Sequence, residues 1–303
     1  MQVYDSVSEI IGKTPLVRLK GFGENLYGKC EFLNPSHSIK DRAAYAMIKK
    51  ALDEAHISKE TTIIECTSGN MGISLAMICA TLGLKIILTM PESMSIERRK
   101  MMALFGAKLE LTPASEGMKG AYERALALHK EIKNSFIPSQ FENLANKFAH
   151  RENTAVEILN DLDGKIDYFV AGFGTSGTIS GVGEVLKEKF ANKVKIIAVE
   201  PAASPLLSEG KAGGHKIQGI GANFVPKILN QSVIDEIQTI SNEDAIATAR
   251  ELALKNGLMV GISSGANVFI ASKIAKANPD KIIVTMLNDT AERYLSTDLF
   301  AGI

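Results

Sequence analysis

The sequence predicts an α/β fold with mostly parallel sheets, on three observations. Five short apolar runs rich in β-branched residues, at 61–65, 85–89, 168–171, 195–199 and 281–285, are flanked by turn residues and read as strands buried on both faces. Six longer stretches, at 72–82, 95–105, 120–133, 178–189, 242–256 and 266–276, carry helical patterning. The two kinds of segment alternate, as parallel strands joined by covering helices require. Hydrophobic residues make up 46% of the 303, which suits a buried sheet. A domain division near residue 145 fits the length, although composition does not mark it.

In chain order, the first informative segment is Asn34-Pro35-Ser36-His37-Ser38-Ile39-Lys40-Asp41-Arg42. It places Lys40 in a short polar turn before a helical run at 43–51. Strand 61–65 then runs into Thr67-Ser68-Gly69-Asn70-Met71-Gly72, and strand 168–171 into Gly174-Thr175-Ser176-Gly177-Thr178. Gly261-Ile262-Ser263-Ser264-Gly265 precedes the helix at 266–276. Ligands of α/β folds sit at the carboxyl ends of strands, where loops lead into helix N-termini.

Composition narrows the function classes. Lys+Arg and Asp+Glu are both 34, so no nucleic-acid or anionic-membrane partner is expected. No apolar run approaches the roughly 18 residues of a membrane span. Met1-Gln2-Val3-Tyr4-Asp5 has neither a basic nor an apolar region, so no signal peptide is expected. Three cysteines, an odd number without a CxxC pair, fit free thiols in a reducing cytoplasm. The five histidines show no ligand spacing, so no metal is expected.

The motifs carry chemistry of their own. A lysine held in a turn can form a Schiff base with a carbonyl cofactor and can move a proton once its amine is freed. A loop rich in glycine and hydroxyls that opens a helix offers N–H and O–H donors to a phosphate. Thr67 to Gly72 offers the same kind of donors to a carboxylate. Ser263 offers a hydroxyl to a ring nitrogen, and it would serve equally as a helix N-cap.

Together these segments resemble the cysteine synthase/cystathionine β-synthase family of pyridoxal phosphate (PLP) enzymes. The resemblance runs from Ile11-Gly12-Lys13-Thr14-Pro15-Leu16 to Glu292-Arg293-Tyr294-Leu295-Ser296. It implies the fold-type II PLP architecture, similar to tryptophan synthase β: two α/β domains with the cofactor in the cleft between them. Residues 38–145 would form the smaller, mobile domain that binds the substrate carboxylate. Residues 1–37 with 146–303 would form the larger, phosphate-binding one. The implied activity is β-replacement through an α-aminoacrylate, with O-acetyl-L-serine and sulfide giving L-cysteine and acetate. The alternative is an L-cysteine-consuming enzyme that releases sulfide and gives serine, lanthionine or cystathionine. A third reading, mainly a binding partner of serine acetyltransferase, is disfavoured by the intact Lys40. A homodimer is also implied.

The resemblance assigns residues as well. Lys40 is the Schiff-base lysine and moves the α-proton. Gly174, Thr175, Ser176, Gly177 and Thr178 hold the phosphate, and Asn70 meets the phenolic oxygen. Ser263 meets the ring nitrogen, with Ser264 second. A hydroxyl there leaves the nitrogen largely neutral, which suits β-replacement better than transamination. Thr67, Ser68, Asn70, Met71 and Gln140, the last within Ser139-Gln140-Phe141-Glu142-Asn143, bind the substrate carboxylate. Gly221 and Asn223 lie in the substrate-facing loop 218–226. Three positions depart from the family pattern. Ser176 replaces a glycine, and Met71 replaces a hydroxyl residue. Asn223 stands where members that make cysteine from O-acetylserine often have glycine and relatives that handle serine, water or homocysteine often have aspartate. Asn223 can hydrogen-bond a substrate or water but cannot act as a base at neutral pH, and asparagine also tolerates left-handed backbone.

Overall fold

A computed structural model describes residues 3–67 and 69–303. Its ten strands are β1 (Leu16–Arg18), β2 (Leu26–Cys30), β3 (Thr62–Cys66), β4 (Lys85–Pro91), β5 (Lys108–Thr112), β6 (Ser135–Phe136), β7 (Tyr168–Gly172), β8 (Lys195–Pro201), β9 (Glu236–Ile240) and β10 (Ile283–Leu287). Its helices are α1 (Lys40–Asp53), α2 (Asn70–Leu82), α3 (Ile96–Leu104), α4 (Gly117–Glu131), α5 (Leu144–Ala149), α6 (Ala155–Asp161), α7 (Gly177–Phe190), α8 (Leu206–Glu209), α9 (Asn242–Asn256) and α10 (Ile262–Ala277), with a π-helical turn at His150–Thr154. All five expected strands and all six expected helices are present.

The chain divides into two compact units, Met1–Ile11 with Lys40–Asn146, and Gly12–Ile39 with Lys147–Ile303. In the smaller unit the strand order is β5-β4-β3-β6, all parallel. Alternation puts Ile63 of β3 and Ile86, Leu88 and Met90 of β4 in one core with α1 and α2. Ile64 and Ile87 face a second core with Ala125 and Leu128 of α4. Ile11 packs against the first of these cores, so the leading residues cluster with the smaller unit and not with the larger.

The larger unit holds a six-stranded sheet in the order β1-β2-β10-β7-β8-β9, parallel except for the β1–β2 pair. On its central strands Val170, Ile197, Val199, Ile283 and Leu287 face the core of α9 and α10. Phe169, Ala171, Ile196, Ala198, Val284 and Met286 face the core of α6 and α7. Two-sided burial is why these strands read as continuous apolar runs. β5 and β9 are edge strands with mixed exposure, so they lacked that signal.

Candidate active site

In the smaller unit three segments converge on the β3–α2 connection. Gly69 is the N-cap of α2, without a side-chain cap bond, and Asn70, Met71 and Gly72 form the first turn. Thr67 is buried; its Oγ1 accepts the Gly69 N–H at 3.4 Å, and its own N–H donates to the Thr89 carbonyl at 3.1 Å. Ser68 lies outside the described residues. Gly72 is closely packed: a Cβ there would meet the flexible end of Met102 at 2.8 Å and Thr67 Cγ2 at 3.1 Å, so the Met102 side chain would have to shift. The Met71 side chain is 2% exposed within the core of α1 and α2, so its thioether belongs to the packing and only its backbone faces the loop.

Lys40 is the first residue of α1 and not part of the preceding turn. Its neighbour Asp41 is fully buried and accepts the Ser74 hydroxyl at 2.6 Å, which ties α1 to α2. The third segment carries Gln140. The Glu65 carboxylate accepts the Ser139 N–H at 3.1 Å and the Gln140 N–H at 3.4 Å, while Asn146 Nδ2 donates to the Gln140 carbonyl at 2.8 Å. The Gln140 backbone is thus held from both sides, beside Ser139 at φ +55°. Burial pushes the Glu65 carboxyl up to about 7, against the lowering effect of those two N–H groups.

The larger unit carries the glycine- and hydroxyl-rich loop. Ser176 is the N-cap of α7 in a left-handed conformation, φ +71°, where the sequence pattern has a glycine. Its buried Oγ has no hydrogen-bond partner among the described residues. A Cβ on Gly174 would run into the Gly219 carbonyl, so this loop and the 218–226 loop lie in backbone contact, and the Gly221 N–H donates to the Phe173 carbonyl at 3.0 Å. Thr175 is buried and Gly177 opens α7. Thr178 Oγ1 bonds the buried His150 ring at 3.3 Å, whose other nitrogen bonds Thr154 at 3.0 Å across the π-helical turn.

Ser263 lies one residue inside α10, whose N-cap is Gly261, so it is not a helix cap. It is 3% exposed and accepts Asn288 Nδ2 at 3.1 Å. The Gly219 backbone approaches it: a Cβ there would stand 3.7 Å from Ser263 Oγ. Asn223 has φ +36°, the left-handed backbone that asparagine tolerates, and its Oδ1 accepts the buried Ser204 hydroxyl at 2.8 Å. His215 Nε2 donates to the Gly221 carbonyl at 2.9 Å. Arg293 donates to the Ser36 carbonyl, and Tyr294 donates to Asp289 at 2.6 Å.

Sequence reasoning missed Glu65, His150, Ser204 and Asn288. Glu65 had a signal: a carboxylate inside a run buried on both faces. Of the thiols, Cys66 ends β3 directly before Thr67, while Cys30 and Cys79 lie in β2 and α2. Burial pushes Cys66 and Cys30 up to about 11 and Cys79 to about 12.

The model of pyridoxal-phosphate dependent enzymes matches residues 7–289. The chain belongs to that family. It is a PLP enzyme of the cysteine synthase type, with fold-type II relatives. It is 70% identical over 301 residues to cysteine synthase B of Campylobacter jejuni, covering 99% of this chain and 100% of that protein. It superposes on a hydrogen sulfide-producing enzyme of Fusobacterium nucleatum with a TM-score of 0.92 at 45% identity, covering 97% of this chain and 100% of that one. For isoform 3 of the O-acetylserine sulfhydrylase of Entamoeba histolytica the values are 0.95 and 42%, with 100% and 93% covered. PLP is accordingly the cofactor. The larger unit fits its phosphate on two counts: the unpartnered, buried Ser176 hydroxyl, and the side-chain-free cradle at Gly174. Among the described residues, no helix is long and apolar enough to cross a membrane.

Proposed function

We propose that this chain performs β-replacement on O-acetyl-L-serine with sulfide, giving L-cysteine and acetate. The observation that carries the reaction type is the buried hydroxyl of Ser263, a neutral partner for the ring nitrogen where transamination favours an acid. The relatives from C. jejuni and E. histolytica support the substrate pair.

PLP, bound through Lys40, supplies the electron sink that labilises the α-proton and the β-substituent. The Lys40 Nζ takes that α-proton and later returns it. Thr67, Ser68, Asn70, Gln140 and the Met71 N–H hold the substrate carboxylate at the start of α2, where the helix dipole favours an anion. Gly174 to Thr178 hold the phosphate at the start of α7. Asn70 orients the ring, and Gly221 and Asn223 line the approach to the β-carbon. The smaller unit serves as the mobile carboxylate-binding part and the larger as the phosphate-binding part. A homodimer, a cytoplasmic location and serine acetyltransferase as a partner complete the proposal.

A second reading keeps the chemistry and uses L-cysteine as donor, releasing sulfide. The F. nucleatum neighbour supports it. The test compares two initial rates in one preparation: cysteine from O-acetylserine plus sulfide, and sulfide from L-cysteine with the organic product identified. The first should be much faster. Dominance of the second would establish the second reading, and failure of both would overturn β-replacement.

A further inference from the structure

Asn288 directly follows β10, and its three polar contacts among the described residues reach the proposed cofactor-binding residues or their neighbours. Its Nδ2 donates to Ser263 Oγ at 3.1 Å, its backbone N–H donates to Ser264 Oγ at 2.8 Å, and its carbonyl accepts the N–H of Ile39 at 2.9 Å. Ile39 directly precedes Lys40 in the chain. All four residues that make these contacts belong to the larger unit. Ser263 and Ser264 are buried, so their hydroxyl protons are not satisfied by bulk water.

A serine hydroxyl has one proton and two lone pairs. The Asn288 amide occupies a lone pair of Ser263 and leaves its proton to be donated elsewhere. A hydroxyl that donates to a pyridine nitrogen requires that nitrogen to be unprotonated. A hydroxyl that must accept requires the pyridinium form. One lone pair of Ser263 stays open, so the residue at 288 biases the choice between the two by how it occupies the other. An amide supplies the donor, a carboxylate would withdraw it, and an aliphatic side chain would leave Ser263 undirected.

We propose that Asn288 is a positioning residue that turns the Ser263 hydroxyl proton toward the pyridine nitrogen of PLP and so keeps that nitrogen neutral. The proposal rests on the reading that Ser263 meets the ring nitrogen. It goes beyond that reading because a hydroxyl alone does not fix which way its proton points.

The test uses holoenzyme loaded with PLP labelled with 15N in the ring, reading the 15N chemical shift and the PLP dissociation constant. The wild-type resonance should lie in the neutral pyridine range. Asn288→Asp should move it toward the pyridinium range. Asn288→Ala, which keeps the fold in hand should the carboxylate not be tolerated, should also move the resonance and weaken PLP binding by roughly three- to tenfold, the effect of one neutral hydrogen bond. Ser263→Ala separates the two layers. If it moves neither readout, the assignment of Ser263 itself is wrong. If it moves both while the Asn288 variants keep the wild-type resonance, or if the wild-type resonance is already that of pyridinium, the role of Asn288 is overturned.

Discussion

Helices α3 and α9 close their own N-termini, whereas α2, α7 and α10 leave theirs open. Ser95 Oγ accepts the Arg98 N–H at 3.4 Å, and Ser241 Oγ accepts the Asp244 N–H at 3.0 Å. By contrast α2 and α10 start on Gly69 and Gly261, and α7 starts on Ser176, whose hydroxyl makes no cap bond. A side-chain cap satisfies a donor that a ligand would otherwise use. Helices α4, α6 and α8 also start without a side-chain cap bond, so an open end does not by itself mark a site. What sets α2, α7 and α10 apart is that their open ends coincide with the sequence motifs, where uncapped N–H groups are left for the proposed ligands.

The largest expected effect strikes an open end. Gly174→Ala pushes a methyl into the Gly219 carbonyl and should weaken PLP binding roughly tenfold to a hundredfold, measured by cofactor titration of the apoenzyme. Wild-type affinity in this variant would show that the α7 end is not kept for the phosphate.

The next prediction concerns the support of the α2 end. Glu65→Gln replaces one acceptor by a donor facing Ser139 or Gln140, and should raise the KM for the amino-acid substrate by about tenfold with a smaller change in kcat. With its carboxyl near 7, Glu65 takes up a proton as pH falls through neutrality and loosens its hold on both N–H groups. The wild-type KM should therefore rise below pH 7, and that rise should vanish in Glu65→Gln. Stability runs the other way. The folded carboxyl binds its proton more tightly than the unfolded one, so this group destabilises the fold increasingly as pH rises from about 4.5 to about 7.

The smallest effect belongs to a closed end. Ser241→Ala should cost about 1 kcal/mol in denaturant unfolding and leave PLP affinity and both rates unchanged. A loss of activity without loss of stability would erase the distinction between the two kinds of helix end.

Much of this was legible from residues alone. The central strands announce themselves because both faces are buried, and the motif loops because glycines and hydroxyls cluster between a strand and a helix. The edge strands β5 and β9 were not legible, since half-exposed residues dilute the apolar signal. The braces were harder still. Glu65 holds residues 74 and 75 positions away, and Asn288 reaches back 25 positions to Ser263. Such pairs leave no periodic trace in a single sequence. Met71 shows a different limit: its side chain completes a core, so the group it offers the motif is its backbone N–H, which a residue name does not reveal.

The three thiols have a consequence for sulfur traffic. Thiol–disulfide exchange, persulfidation and alkylation all proceed through the thiolate. With Cys30 and Cys66 near 11 and Cys79 near 12, almost none of that form exists at cellular pH. A catalyst proposed to join sulfide to a reactive carbon thus keeps its own three cysteine sulfurs mainly as thiols, the form least able to compete for that carbon or to follow the redox state of the pool it is proposed to supply.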